Sequence, residues 1–136
     1  MHVLPRLHRS LAVLAAAALS SAFPLAAFAD AASEVAAAAN QASLAAVAST
    51  ETLAKSHLQQ LLNCLVGRGK KGFNRDTDNP CDGLGNGAIA DTEDVLKREI
   101  LQRAASKALE ALQDNDLASI QRVAAQIQGS FKNIKY

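Results

Sequence analysis

The sequence predicts an all-α protein: a three-helix bundle with one long N-terminal helix and a long, glycine-rich loop tethered by a disulfide. Residues 31–66 contain no Gly and no Pro, the residues that most often end a helix. Apolar residues recur at steps of three and four in three separate segments, which is the spacing of one helix face. Six of the 7 glycines lie between residues 67 and 90. No segment has the pattern of a strand, so a helical fold with one long loop is expected.

The first 29 residues are typical of a secretory signal peptide. A basic start and an apolar run precede Pro24 and the small-residue sequence Ala27-Phe28-Ala29. We expect cleavage between Ala29 and Asp30, which would leave residues 30–136 as a single helical domain in the periplasm or outside the cell. An uncleaved membrane anchor is the alternative, but Pro24 and the alanine content favour cleavage. Stable membrane anchoring is therefore not expected.

The charge of the mature chain argues against nucleic acid as a partner. The 14 Lys and Arg include two arginines of the leader, so 12 remain against 13 Asp and Glu. A chain near neutrality lacks the sustained positive field that holds nucleic acid or anionic lipid. We expect the partner to be a protein of unknown identity, or a second copy of the chain.

The first predicted helix covers residues 31–66. Its first half is rich in Ala, which favours the helix but buries little area, and we expect that half to overhang, fray or pair with another chain. At about 1.5 Å per residue the helix would be on the order of 54 Å long, more than the later helices can cover. The alternative is a four-helix bundle with a break near residues 49–50, where the hydroxyls of Ser49 and Thr50 can cap a new helix.

Two shorter helices follow the loop. The second is expected at residues 91–113, with Asp91 as its N-cap, and the third at residues 116–135. A short polar corner at residues 114–116 makes them antiparallel neighbours. The third helix has the most regular apolar pattern in the chain, and its register continues through Gly129.

The predicted loop at residues 67–90 contains Cys81, while Cys64 lies on the last turn of the first helix. Two cysteines in a small exported domain are most often joined by a disulfide. Closing a loop of this length stabilises a fold by roughly 3 kcal/mol on the chain-entropy account. We therefore predict a Cys64–Cys81 bridge that fixes the loop to the first helix.

A metal site is the alternative use of the same sulfurs. His57 precedes Cys64 by two helical turns and is the only histidine after the predicted cleavage site. With Cys64 and Cys81 it would give zinc or copper three suitable ligands. This hypothesis requires free thiols, which an oxidising compartment disfavours, and we expect no bound cofactor.

Two charged groups in the loop offer weaker sites. Three carboxylates provide oxygen ligands for a weakly bound cation such as Ca²⁺, although their spacing does not fit a calcium-binding hand; they are Asp76, Asp78 and Asp82. Four cations form a local basic patch able to hold an anion; they are Arg68, Lys70, Lys71 and Arg75. Both groups are also typical of a solvated loop. A glycine pattern here matches G-x-G-x-x-G, but no strand precedes it, and Gly67 is better explained as the residue that ends the first helix.

One run of residues is similar to a signature of small, uncharacterised helical proteins that Gram-negative bacteria export. It includes His57-Leu58, then Asn63 to Gly67, Phe73, Asn79 to Cys81 and Gly85 to Ala88. The run covers about residues 57–91, under a third of the chain. This resemblance implies an all-helical exported protein and carries over no catalytic residue.

Catalytic signatures are missing from the sequence. There is no G-x-S-x-G, H-E-x-x-H or C-x-x-C, and a single mature histidine leaves no nucleophile and base pair. We therefore expect a protein that is not an enzyme, but an interaction or structural module that presents the disulfide-constrained loop. A periplasmic metal-binding protein using His57, Cys64 and Cys81 is the alternative.

Overall fold

The structure, a computed structural model, describes residues 29–136, and every regular element in that range is a helix. The predicted signal peptide lies outside the described residues except for Ala29. Five helices follow in order: α1 (Ala31–Ala46), α2 (Glu51–Val66), α3 (Ala88–Asp91), α4 (Val95–Ala111) and α5 (Leu117–Phe131). None of these helices is long and apolar enough to cross a membrane. The predicted all-α class is thus confirmed over residues 29–136.

The single helix expected at residues 31–66 is wrong, because the chain turns between α1 and α2. The turn lies at residues 47–50, where the alternative break was expected. Thr50 caps α2, with its hydroxyl oxygen accepting a hydrogen bond from Leu53 N at 3.2 Å. On the other side of the turn, the Ala48 carbonyl accepts a hydrogen bond of 2.8 Å from the Gln121 side chain on α5. The turn lets the two halves fold back on each other, which removes the excess length of one straight helix.

The helix expected at residues 91–113 also begins differently. Asp91 is the last residue of the one-turn helix α3, and Asp94 caps α4 by accepting a hydrogen bond from Lys97 N at 3.0 Å. Between them the chain is extended at Thr92, whose carbonyl accepts two hydrogen bonds from the Arg98 guanidinium. The loop between α2 and α3 is therefore residues 67–87, shorter than the predicted 67–90. We call residues 67–87 the tethered loop.

The third predicted helix corresponds to α5, with its start at the expected place. Asp116 caps it by accepting a hydrogen bond from Ser119 N at 3.0 Å. The helix ends at Phe131 rather than near residue 135. The amides that follow bond to carbonyls three residues back instead of four, as Ile134 N does with the Phe131 carbonyl at 3.0 Å. The predicted apolar register is correct: Ile120, Ala124, Ile127 and Phe131 are all buried.

Alanine side chains of α1 form much of its contact with the neighbouring helices. Ala38, Ala42 and Ala45 are fully buried where α1 packs against α2 and α5. A side chain this small allows two helices to approach closely, so even an alanine face is well covered. The expectation that the Ala-rich half would overhang is wrong. Larger side chains fill the centre of the bundle: Leu58, Leu61, Leu62, Leu65, Leu101, Ile120 and Ile127.

Candidate functional site

The Cys64–Cys81 disulfide joins the last turn of α2 to the tethered loop. The two Cα atoms are 5.2 Å apart, and both side chains are buried. The predicted bridge is therefore present. It closes a segment that has no helix and no strand, so the covalent bond restrains a part of the chain that lacks regular backbone hydrogen bonding.

Asn63, the residue before Cys64, is a second anchor of the tethered loop. It is fully buried although its side chain is polar. Its amide nitrogen donates hydrogen bonds to the Asn74 carbonyl at 2.9 Å and to the Thr77 carbonyl at 3.3 Å, while its amide oxygen accepts one from Asn74 N at 2.9 Å. Gln59 donates to the same oxygen and to the Gly72 carbonyl. Two amide side chains of α2 thus satisfy backbone groups that would otherwise lack partners.

Two glycines allow the ends of the tethered loop to cross. Gly67 ends α2 with a positive φ of 77°, as the sequence predicted, and Gly87 precedes α3 with φ of 109°. A Cβ atom on Gly67 would overlap the carbonyl of Asn86, and one on Gly87 would lie 2.6 Å from Gly67 N. The two backbone segments therefore touch directly, which only glycine permits at both positions.

A buried carboxyl group lies beneath this crossing. Glu34 of α1 is 1% exposed, and its Oε1 accepts a hydrogen bond from Gly87 N at 2.9 Å. Its other oxygen, Oε2, has no donor among the described residues. Burial raises the pKa of Glu34 to about 7, and the nearby Asp91 adds to the increase, although the Gly87 bond opposes it. Glu34 is not among the residues predicted from the sequence, although it is a single acidic residue on the helix face that carries the buried alanines.

An open depression of about 580 Å³ lies on the outer side of the tethered loop. Its wall includes Arg68, whose guanidinium is 2.7 Å from Asp82 Oδ1 and 5.8 Å from the centre of the Phe73 ring. Side chains of both charges surround the depression, and its lining residues are Gln60, Arg68, Phe73, Arg75, Asp76, Thr77, Asp78, Asn79, Pro80 and Asp82. The surface offers hydrogen bonds and charges rather than an enclosed apolar cavity.

The four predicted anion-binding cations line two different surfaces. Arg68 and Arg75 line the depression, whereas Lys70 and Lys71 line a separate groove beside Val66 and Ile89. Arg68 also forms an ion pair with Asp82, which neutralises part of the arginine's positive charge. Anion binding by all four residues together stays a prediction.

The residues of the predicted cation and metal sites can also be located in the structure. Although Asp76, Asp78 and Asp82 all line the depression, no three His, Cys, Asp or Glu side chains between residues 29 and 136 are grouped closely enough to hold a metal ion. His57 Nδ1 lies 2.8 Å from Gln41 Oε1, and the disulfide occupies both sulfurs of the proposed ligand set. The metal hypothesis thus lacks its thiolates in this structure.

No protein-family model matches this chain, and no curated protein and no solved structure matches it significantly.

Proposed function

We propose that this protein is a non-catalytic, exported interaction module whose binding surface is the tethered loop. One observation carries the proposal: a segment with no helix or strand is nevertheless fixed to α2 by a disulfide and by the buried side chain of Asn63. Loops held on a rigid helical scaffold are common binding surfaces, because function can vary there without disturbing the core.

Fixing the loop in advance favours binding. A flexible loop loses conformational entropy when it binds, whereas a loop that is already ordered avoids most of that cost. The side chains around the depression carry both charges, including Arg75, Asp76 and Asp78. We therefore propose a partner protein with a polar surface of mixed charge, which can pair with these groups around the rim.

Export to the periplasm or beyond the cell fits the same proposal. Disulfides persist in oxidising compartments and are rare in the cytosol. The zinc or copper alternative would require reduction of Cys64 and Cys81, and no contact of His57 favours it. We therefore expect intact protein taken from the producing cell to lack two thiol hydrogens and to hold no stoichiometric metal, as mass spectrometry with metal analysis would measure.

Site-specific photo-crosslinking in the producing cell tests the binding role. A photoreactive residue replaces exposed Asp76 at the depression, and a matched control carries it at exposed Arg122 on α5. The proposal predicts a defined adduct from position 76 and none from position 122. The adduct should disappear in the Cys64→Ala/Cys81→Ala variant, provided that circular dichroism shows the helices still formed.

Two results would count against this function. One is the same set of adducts from both positions, which would indicate contact without a specific surface. The other is a position-76 adduct that survives loss of the disulfide, since binding would then not depend on the ordered loop.

A further inference from the structure

The carboxyl group of Glu34 is enclosed at the place where α1 meets the end of the tethered loop. Its Oε1 accepts the hydrogen bond from Gly87 N, but its Oε2 is buried with no donor among residues 29–136. An ionised carboxylate oxygen in this position would lose its hydration without a replacement. A protonated carboxyl group avoids that cost, because it is neutral and its O–H can donate.

Asp91 of α3 is a candidate acceptor for such a donor, because it lies on the other side of Gly85. Its Oδ2 accepts a hydrogen bond from Asn86 N at 2.6 Å, and its Oδ1 accepts one from Asn86 Nδ2 at 3.1 Å. The two acidic side chains meet at Gly85: a Cβ atom there would overlap Asp91 Oδ2 and lie 2.9 Å from Glu34 Oε1. Glu34 Oε1 and Asp91 Oδ2 therefore flank the same point beside Gly85.

We propose that Glu34 and Asp91 form a buried binding site for one shared proton, and that this proton holds residues 84–87 against α1. Each side chain binds one part of the segment: Glu34 takes the amide of Gly87, and Asp91 takes the amide of Asn86. With the proton bound, one O–H···O bond links the two acids. Without it, the buried Glu34 carboxylate faces a second negative charge on half-buried Asp91, and the closed arrangement is weakened.

The charges around the pair are mainly acidic. Asp30, the N-cap of α1, also acts on Glu34, and Arg68 and Asp82 line the same small cavity of about 30 Å³ beside it. Arg68 is already paired with Asp82. In a chain cleaved before Asp30, the new α-ammonium would lie near the segment as well, because Asp30 N is 3.1 Å from the Leu84 carbonyl.

The direction of the pH effect follows from the Glu34 pKa. Its value rises from 4.5 to about 7 in the folded chain, so the closed form binds a proton that the open form releases. The closed segment is therefore favoured most below pH 4.5. It loses stability as the pH rises to about 7 and changes little beyond that. The tethered loop would be held most firmly in acid and loosened near neutrality.

Hydrogen exchange of the Gly87 amide, measured by NMR against pH, tests the site. After correction for intrinsic exchange, its protection should fall at least about tenfold as the pH rises through this window, since one pKa unit corresponds to a factor of ten. Glu34→Gln mimics the protonated acid, because its amide can donate to Asp91 and still accept from Gly87. Between pH 4.5 and about 7, protection in Glu34→Gln should not change with pH.

Two further variants separate this proposal from its alternatives. Asp91→Asn should move the change in Gly87 protection to lower pH by at least about one unit, because the facing charge is removed. Exposed Glu110→Gln should leave the wild-type profile unchanged. A Glu34 carboxyl carbon that titrates near pH 4.5 would overturn the proposal. An Asp91→Asn variant whose pH profile equals that of the wild type would also overturn it. Such a result would indicate that a water in the cavity, and not Asp91, is the hydrogen-bond partner of Glu34.

Discussion

The side chain of Asn63 provides the tethered loop with hydrogen-bond partners of the kind that a neighbouring strand would provide in a sheet. Its amide spans the loop at Asn74 and Thr77, so the loop path depends on it directly. The disulfide beside it was predictable from two cysteines in a small chain whose sequence predicts export. The role of Asn63 was not, because its partners are backbone groups distant in sequence, and nothing in a local pattern identifies them.

Replacing Asn63 should therefore cost stability. Asn63→Ala removes a donor and an acceptor from buried backbone groups, and we expect a loss of about 2–3 kcal/mol in the free energy of unfolding. Urea denaturation of the oxidised protein measures this. Asn40→Ala, an exposed position on α1, is the matched control and should change stability by no more than about 0.5 kcal/mol. Equal effects at the two positions would contradict the anchoring role.

The crossing at Gly67 gives a second test at a single residue. Gly67 and Gly69 have nearly the same positive φ, 77° and 76°, but only Gly67 has backbone in the path of a Cβ atom. Gly69→Ala should cost about 1 kcal/mol from backbone strain alone. Gly67→Ala should lower the free energy of unfolding by clearly more than Gly69→Ala does, because the Asn86 backbone must move as well. Thermal or urea unfolding compares the two, and equal losses would show that the close approach is unimportant.

At the level of the elements, the helix boundaries depend on capping and on tertiary packing together. The break between α1 and α2 lies in a stretch without Gly or Pro, where the sequence favours a continuous helix. Hydroxyl caps are too common to decide such a break. The turn is instead favoured by contacts across the bundle, such as Gln121 with the Ala48 carbonyl. The regular pattern of α5 was predictable because one face of it is buried along its whole length.

The cap of α2 can be tested in isolation. Thr50→Ala removes the hydrogen bond to Leu53 N, and we expect a loss of about 1 kcal/mol in unfolding free energy. The neighbouring Ser49 is exposed and does not cap α2, so Ser49→Ala should be close to neutral. Chemical denaturation of both variants measures the difference. A larger loss for Ser49→Ala would place the helix start one residue earlier.

Across the whole molecule, a helical bundle with many alanines supports an irregular loop that it does not cover. The scaffold follows from apolar periodicity and could be predicted as a class. The path of the tethered loop could not be predicted, because it depends on contacts distant in sequence, such as the one between Glu34 of α1 and Gly87, which lie 53 positions apart. Four separate restraints converge on the loop: the disulfide, Asn63, the glycine crossing and the Glu34–Asp91 pair.

The most direct test of the central claim is amide hydrogen exchange across the tethered loop in the oxidised protein and in Cys64→Ala/Cys81→Ala. If the disulfide orders the tethered loop, the Asn74 amide, which Asn63 binds, should exchange slowly in the oxidised chain. That protection should fall markedly without the disulfide, while amides of α5 such as Ala124 and Ile127 stay protected. Rapid exchange at Asn74 in the oxidised protein, or protection unchanged by loss of the bridge, would show that the disulfide does not order the loop.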